Sequence, residues 1–359
     1  EQNLKDLEGL LGPDHPHTLQ ARNNLASAYR AAGRLDEAIT LHEQNLKDLE
    51  GLLGPDHPHT LQARNNLASA YRAAGRLDEA ITLHEQNLKD LEGLLGPDHP
   101  HTLQARNNLA SAYQDAGRLN EAITLHEQNL KDLEGLLGPD HPHTLQARNN
   151  LASAYQDAGR LNEAITLHEQ NLKDLEGLLG PDHPHTLQAR NNLASAYRAA
   201  GRLDEAITLY EQTLTDRTRI LGPHHPDTLT SRNNLASAYR DAGRLDEAIA
   251  LHEQNLIDLT RILGPHHPDT LTSRNNLASA YRDAGRLDEA IALHEQNLID
   301  LTHILGPHHP NTLTSRNNLA KAYRAAGRFE DADKLFETPS GSEDEQDGTE
   351  EDPAQEAGD

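Results

Sequence analysis

Apolar residues in this chain recur at helical spacing, and the whole pattern of apolar and polar positions repeats every 42 residues. The most regular stretch, residues 22–39, reads RNNLASAYRAAGRLDEAI and returns almost unchanged along the chain. Its tyrosine falls at Tyr29, Tyr71, Tyr113, Tyr155, Tyr197, Tyr239, Tyr281 and Tyr323. A fixed period of about 20 to 50 residues is typical of a solenoid, in which each repeat packs on its neighbours.

The first helix of the repeat, helix A, is predicted over about residues 16–32. Pro16 suits a first helical turn, and Gly33 suits a helix end. Wound as a helix, the segment separates an apolar face from a polar face. The apolar face comprises Ala21, Leu25, Ala28, Tyr29 and Ala32. The opposite face comprises Gln20, Asn23, Ser27, Arg30 and Ala31, with Asn24 at its edge.

The second helix, helix B, is predicted over about residues 36–53. Asp36 and Glu37 favour its positive N-terminal end, and Gly54 and Pro55 end it. Its apolar stripe comprises Leu35, Ala38, Ile39, His42, Leu46, Leu49 and Leu53. Helices A and B form an antiparallel hairpin, which buries both stripes only by stacking on the next hairpin.

The predicted fold class is therefore all-α, a solenoid of about eight stacked antiparallel hairpins over residues 1–337. Because residues 1–11 match the second half of a later helix B, we expect a fragment of a longer protein that begins inside that helix. Three substitutions predict a capping repeat at the end of the array: Lys321, Phe329 and Phe336. Residues 338–359 are too polar and acidic to bury a core, which predicts a disordered tail.

The net charge is −25, and residues 337–359 contribute ten acidic residues and no basic ones. The repeats therefore carry −15, which argues against a nucleic-acid partner. The absence of cysteine excludes disulfides and thiolate metal sites. No apolar run approaches the ~18 residues that span a bilayer, and no signal-peptide pattern is present, so we expect a soluble cytoplasmic protein that binds no membrane.

The repeat resembles the tetratricopeptide repeat family. The similarity lies in the large-small pair Leu25-Ala26, the aromatic Tyr29, the turn at Gly33 and Ala38 in helix B. The 42-residue period and the LGPDHP loop are similar to the kinesin-light-chain type, also found in bacterial regulatory proteins. The resemblance implies a right-handed superhelix whose concave face is lined by the A helices. It also implies peptide or protein binding without catalysis. Arg22 and His42 depart from the family, which usually has apolar or aromatic residues there.

The polar face of helix A supplies the candidate binding residues. Asparagine amides can pair with the backbone of an extended peptide, and arginine suits carboxylates. The Asn23 row comprises Asn23, Asn65, Asn107, Asn149, Asn191, Asn233, Asn275 and Asn317. The Asn24 row comprises Asn24, Asn66, Asn108, Asn150, Asn192, Asn234, Asn276 and Asn318. The Arg row comprises Arg30, Arg72, Arg198, Arg240, Arg282 and Arg324. Gln114 and Gln156 interrupt this row, and neighbouring aspartates reduce its positive charge.

Histidine is the other candidate chemistry. Loop pairs such as His15 and His17 offer too few converging ligands for a structural metal site, so we predict turn chemistry, with Asp14 capping the helix, and no metal or cofactor. His42 and its equivalents are interpreted as satisfied core histidines in an aromatic slot. Because Ser, His and Asp recur in nearly every repeat and no phosphate loop is present, an enzyme is not expected.

These patterns predict a scaffold that binds an extended or helical protein segment on the concave face, as the sensor or docking arm of a larger protein. The alternative is a structural module that stacks end to end, since near-identical hairpins offer an open-ended contact. A further hypothesis is that the acidic tail, residues 338–359, docks on the Arg row and competes with the ligand.

Overall fold

A computed structural model of the chain describes residues 1–336. The predicted acidic tail, with its proposed docking on the Arg row, lies outside these described residues. Within them the chain folds into helices only, and they alternate as predicted between two kinds. The predicted all-α architecture of stacked hairpins is confirmed.

The A helices are α2 (Pro16–Ala31), α4 (Pro58–Ala73), α6 (Pro100–Asp115), α8 (Pro142–Asp157), α10 (Pro184–Ala199), α12 (Pro226–Asp241), α14 (Pro268–Asp283) and α16 (Pro310–Ala325). The B helices are α1 (Gln2–Leu11), α3 (Leu35–Leu53), α5 (Leu77–Leu95), α7 (Leu119–Leu137), α9 (Leu161–Leu179), α11 (Leu203–Leu221), α13 (Leu245–Leu263), α15 (Leu287–Leu305) and α17 (Phe329–Lys334).

The hairpins belong to two compact units, one over residues 1–231 and one from residue 232 onward. In the first unit the B helices α3, α5, α7 and α9 each pack between two A helices, as α3 packs between α2 and α4. Successive A helices also touch each other directly, in the pairs α2–α4, α6–α8 and α8–α10. The second unit has the same arrangement, with α15 between α14 and α16. The A helices thus form one continuous surface within each unit.

Each helix A begins at a proline, and a histidine caps it. His15 is extended, with φ −69° and ψ 139°, and its Nδ1 accepts a hydrogen bond from the His17 backbone N–H at 3.2 Å. Loop histidine therefore performs the capping that we predicted for Asp14. Helix A ends at Gly33, whose φ of 75° is left-handed, and the next N–H, of Arg34, bonds to the Tyr29 carbonyl at 2.9 Å.

The apolar core is shared between consecutive hairpins. Leu19 of α2, Ile39 and Leu49 of α3, and Leu67 and Tyr71 of α4 belong to one buried cluster. Equivalent clusters recur in the following repeats of the first unit. A single hairpin has no core of its own, so burial of its leucines, about 1.5–3 kcal/mol each, requires both neighbours.

The predicted apolar stripe of helix B is wrong at the C-terminal end of the helix. Leu53 is 43% exposed and the adjacent Leu52 is 49% exposed, and the same pair is exposed in the next repeats. These leucines lie at the last turn of helix B. They therefore remain on the surface beside the loop, where they can contribute to binding.

In helices α2, α4, α6, α8 and α10, a buried arginine ties three helices together. The Arg64 side chain in α4 is 6% exposed; its Nη1 lies 2.5 Å from Asp90 Oδ2 in α5, and its Nη2 lies 3.5 Å from Glu50 Oε1 in α3. From the sequence alone, Arg22, the residue equivalent to Arg64 in α2, was recognised only as a departure from the family pattern. The guanidinium is stable in this slot because carboxylates from both flanking B helices neutralise it.

A second polar contact links each helix A to the preceding helix B. The Tyr71 hydroxyl of α4 donates to Glu43 Oε1 of α3 at 2.5 Å, and the Arg76 guanidinium lies 4.3 Å from the Tyr71 ring centroid. Burial, together with the hydrogen bond to Glu43, raises the pKa of Tyr71 to about 12. The ring thus fills the core while its hydroxyl fixes the register of neighbouring hairpins.

We predict that Asp132→Ala lowers the free energy of unfolding by about 3 kcal/mol, because it leaves the buried Arg106 guanidinium with a single, partly exposed carboxylate. Urea denaturation measures the change. The matched control is Glu121→Ala, which removes an exposed partner of Arg118 and should cost less than about 1 kcal/mol. Equal unfolding midpoints for the two variants would contradict this assignment.

Candidate functional site

The Asn23 and Asn24 rows lie side by side on the A helices, as predicted, but they also bond to each other. Asn66 Nδ2 donates to Asn23 Oδ1 at 2.8 Å, and Gln62 Nε2 donates to Asn66 Oδ1 at 3.0 Å. The same amide ladder continues along the first unit and recurs in the second through Asn276 and Asn233 at 2.9 Å. Neighbouring repeats are therefore joined by side-chain amides.

This ladder leaves the Asn23 row partly open. In Asn107, Oδ1 accepts from Asn150 at 2.8 Å, whereas Nδ2 makes no hydrogen bond among the described residues. Asn150 is used more fully, since its Oδ1 accepts from Gln146 and its Nδ2 donates. The donors available to a ligand are therefore Nδ2 groups such as those of Asn65, Asn107 and Asn149.

The Arg row is less available than predicted, because the aspartates beside it pair with it. Arg72 forms an ion pair with Asp115 of the next repeat, and Arg240 Nε lies 3.7 Å from Asp283 Oδ2. Arg30 differs, because the facing position in the next repeat is Ala73, whereas it is aspartate at Asp115, Asp157, Asp241 and Asp283. Within residues 1–336, the Arg row is therefore not a continuous row of free cations.

Pockets open between successive A helices, with helix B as their floor. One pocket, of about 620 Å³, is lined by Asn65 and Asn108 of two A helices and by Asn87, Leu94 and Leu95 of the helix B between them. An equivalent pocket of about 710 Å³ lies within residues 140–192, and a smaller one of about 90 Å³ lies between the two. In the second unit the corresponding pocket, within residues 266–315, is about 360 Å³.

The floor of these pockets contains an asparagine that the sequence analysis missed. Asn87 is 3% exposed, and its Oδ1 is buried without a hydrogen-bond partner. The same holds for Asn45, Asn129, Asn171, Asn255 and Asn297. The signal was in the spacing: Asn45 lies three residues after His42 and four before Leu49, on the predicted apolar stripe. A buried amide without a partner costs free energy, and a ligand in the pocket can offset that cost.

The histidines divide into two classes. Loop pairs such as His15 and His17 lie with ring centroids 5.2 Å apart and serve the helix cap. In residues 1–336, no group of three or more His, Asp or Glu side chains is arranged to hold a metal ion. The interior histidines, such as His84, are buried as predicted but not satisfied, since Nδ1 has no partner. Burial lowers the pKa of His84 to about 4, with a smaller contribution from the charge of Arg72.

Comparison with known proteins decides the family. The tetratricopeptide repeat profile matches overlapping segments that cover the array: 1–47, 18–89, 60–128, 102–170, 145–217, 185–256, 233–298 and 275–338. The chain belongs to the tetratricopeptide repeat (TPR) family. No protein with a curated description matches the chain. Across the described helices of this TPR array, none is long and apolar enough to cross a bilayer.

Solved TPR structures share the fold. The nearly identical TPR-like repeats from a protein of Podosopora anserina, designated a kinesin light chain, are 35% identical and cover 57% of this chain and 97% of their own, with a TM-score of 0.52. The apo quorum sensor NprR of B. thuringiensis is 16% identical, covering 93% and 94%, with a TM-score of 0.62. A Rap protein complexed with competence and sporulation factor is 12% identical, covering 89% and 96%, with a TM-score of 0.52. The predicted kinesin-light-chain-like type of repeat is confirmed.

The core histidines generate a prediction about pH. Their folded pKa of about 4 lies below the unfolded value of about 6.5, so their contribution is present above pH 6.5 and is lost as pH falls towards 4. We predict that a triple variant (His84→Tyr, His126→Tyr, His168→Tyr) loses less melting temperature between pH 7.5 and 5 than the native TPR array. Each native histidine should cost about 1 kcal/mol of stability per pH unit as the pH falls below about 6.5.

The chain itself offers the reason to choose tyrosine: Tyr210 occupies the equivalent slot and is 2% exposed. Carboxylates titrate equally in both proteins, so their contribution cancels in the comparison. Parallel curves of melting temperature against pH would show that these histidines do not couple folding to protons.

Proposed function

We propose that this TPR array is a scaffold that binds an extended protein segment along the surface of its A helices, as the docking or sensing part of a larger protein. The observation that carries the proposal is the recurring pocket, which combines open amide donors with an apolar wall. Asn107-type Nδ2 groups stand at successive repeats, and the pockets lie between them.

The chemistry of the surface suits a peptide backbone with apolar side chains. Backbone carbonyls of an extended segment accept hydrogen bonds, and the Nδ2 groups of Asn65, Asn107 and Asn149 can donate them without reading sequence. The exposed leucine pair, such as Leu94 and Leu95, offers apolar surface at 49% and 45% exposure. Burying one aliphatic side chain against it stabilises a complex by about 1.5–3 kcal/mol. Affinity therefore arises from several adjacent repeats, each contributing a little.

Two of the structures with this fold support the proposal. NprR is described as a quorum sensor, and the Rap protein was crystallised with competence and sporulation factor. The present array differs in its charge pattern, since aspartates neutralise much of the Arg row. We therefore propose a ligand that is apolar in several positions rather than one that is acidic throughout.

We predict that changing Asn65, Asn107 and Asn149 to Ala together weakens binding of a display-selected peptide more than tenfold, because each lost hydrogen bond contributes about 1 kcal/mol. Isothermal titration measures the affinity. A second triple variant, with Asp at the same positions, keeps an acceptor oxygen for the amide ladder, removes the Nδ2 donors and adds a negative charge at each position. It should weaken binding as well, while circular dichroism shows an intact fold.

The matched control changes exposed lysines of the B helices, Lys89, Lys131 and Lys173, to Ala. These changes should leave the affinity within about twofold of the native value. The opposite result, with binding lost in the lysine variant and kept in both asparagine variants, would place the functional surface on the B helices and overturn the proposal.

A further inference from the structure

One position of the array departs from its repeat in a way that places a charge where the other repeats have a core leucine. Every equivalent position in the other B helices is leucine, as at Leu175 and Leu259, but the residue in α11 is Arg217. Leu175 belongs to the core cluster of its repeat and lines the pocket of about 710 Å³. The array is otherwise so regular that a single charged residue in this slot stands out.

Two neighbouring substitutions accompany Arg217. Thr213 replaces the buried asparagine of the pocket floor, and Ser231 replaces the alanine found at Ala189. Ser231 is fully buried, and its Oγ accepts a hydrogen bond from Arg217 Nη1 at 2.9 Å. In the second compact unit the same position is Ser273, and leucine has returned at position 259. Among the described residues the Ser273 hydroxyl has no hydrogen-bond partner, whereas the Ser231 hydroxyl has the Arg217 guanidinium.

Among the described residues, no carboxylate makes ion-pair contact with the buried cation Arg217. It is 4% exposed, and besides Ser231 its guanidinium donates to the Asp227 backbone carbonyl at 3.1 Å and to Gln188 Oε1 at 3.3 Å. All three acceptors are neutral. The Asp227 carboxylate is 58% exposed and acts on Arg217 only at longer range. By contrast, Arg190 has Asp216 at 2.7 Å.

The third acceptor, Gln188, connects Arg217 to the ligand surface. Gln188 is exposed on α10 and lines the pocket of about 710 Å³. Its Nε2 donates to Asn192 of the amide ladder at 2.8 Å, while its Oε1 accepts from Arg217 Nη2. The glutamine amide thus stands between the buried guanidinium and the open surface of the A helices. An exposed glutamine side chain can change rotamer at small cost.

We infer that Arg217 is the recognition site for one carboxylate of the bound segment, which takes the place of Gln188 Oε1. The inference rests on the proposed peptide binding and adds its one charged specificity element. A carboxylate accepts two parallel hydrogen bonds from a guanidinium and neutralises its charge, whereas an amide oxygen does neither. A buried unpaired charge is costly, so the array gains most at this repeat by binding an anion.

The test uses peptides selected by display against the full chain, with free C termini. For each binder, one synthetic version has its side-chain carboxylates changed to amides, and another has its C terminus amidated. We expect one of the two changes to lower affinity for the native chain at least tenfold, which also identifies the source of the carboxylate. The variant Arg217→Leu, Ser231→Ala restores the leucine and alanine of the preceding repeat and should bind both versions equally.

Two controls separate recognition from folding. The restored variant should melt at or above the native temperature, because leucine replaces a buried charge in a slot built for it. The transfer variant, Leu175→Arg with Ala189→Ser, combined with the restored variant, should regain the preference for a carboxylate one repeat earlier.

The outcomes distinguish the two proposals. If peptides bind with no carboxylate preference, or if the restored variant keeps that preference, Arg217 is not the recognition site, while peptide binding stands. If no peptide binds, the proposed function fails and the inference about Arg217 fails with it. Loss of preference in the restored variant and its return in the transfer variant support the inference.

Discussion

The buried arginine of helices α2, α4, α6, α8 and α10 is the interaction on which the first unit depends. Arg64 pairs with Glu50 of the preceding helix B and with Asp90 of its own hairpin, so one guanidinium fixes three helices. Apolar contacts alone are nondirectional and would tolerate a slip between hairpins. Charge-assisted hydrogen bonds do not, because a shift would leave the guanidinium buried without its carboxylates. These contacts therefore fix the position of each hairpin relative to the next.

The same logic of polar contacts between repeats produces the proposed binding surface. Residues of the Asn24 row such as Asn66 and Asn150 join neighbouring repeats, and these bonds hold the side-chain amides of Asn23 and Asn107, with their Nδ2 donors, in place. A preorganised donor costs little to use, because its side chain is already ordered before the ligand arrives. The same amide ladder therefore serves both the stability of the array and the recognition of a ligand. The pockets between successive A helices add apolar contacts to binding.

The sequence predicted the helices, the hairpins and the core to within a residue or two, because the pattern is periodic and repeated many times. It did not predict which polar residues are internal. Asn45 lies on the apolar stripe and was overlooked as polar, whereas Leu53 was assigned to the core although the helix end exposes it. The pairing of Arg72 with Asp115 joins side chains 43 residues apart and depends on the packing of neighbouring repeats. Such contacts depend on tertiary geometry, which spacing along one helix does not give.

The most direct test of the account is a crystal structure of the array bound to a display-selected peptide. The account predicts an extended segment along the A helices, with its backbone carbonyls within hydrogen-bond distance of Nδ2 in Asn65, Asn107 and Asn149 and apolar side chains in the pockets between them. A peptide seated on the B helices, with these Nδ2 groups still open, would contradict it.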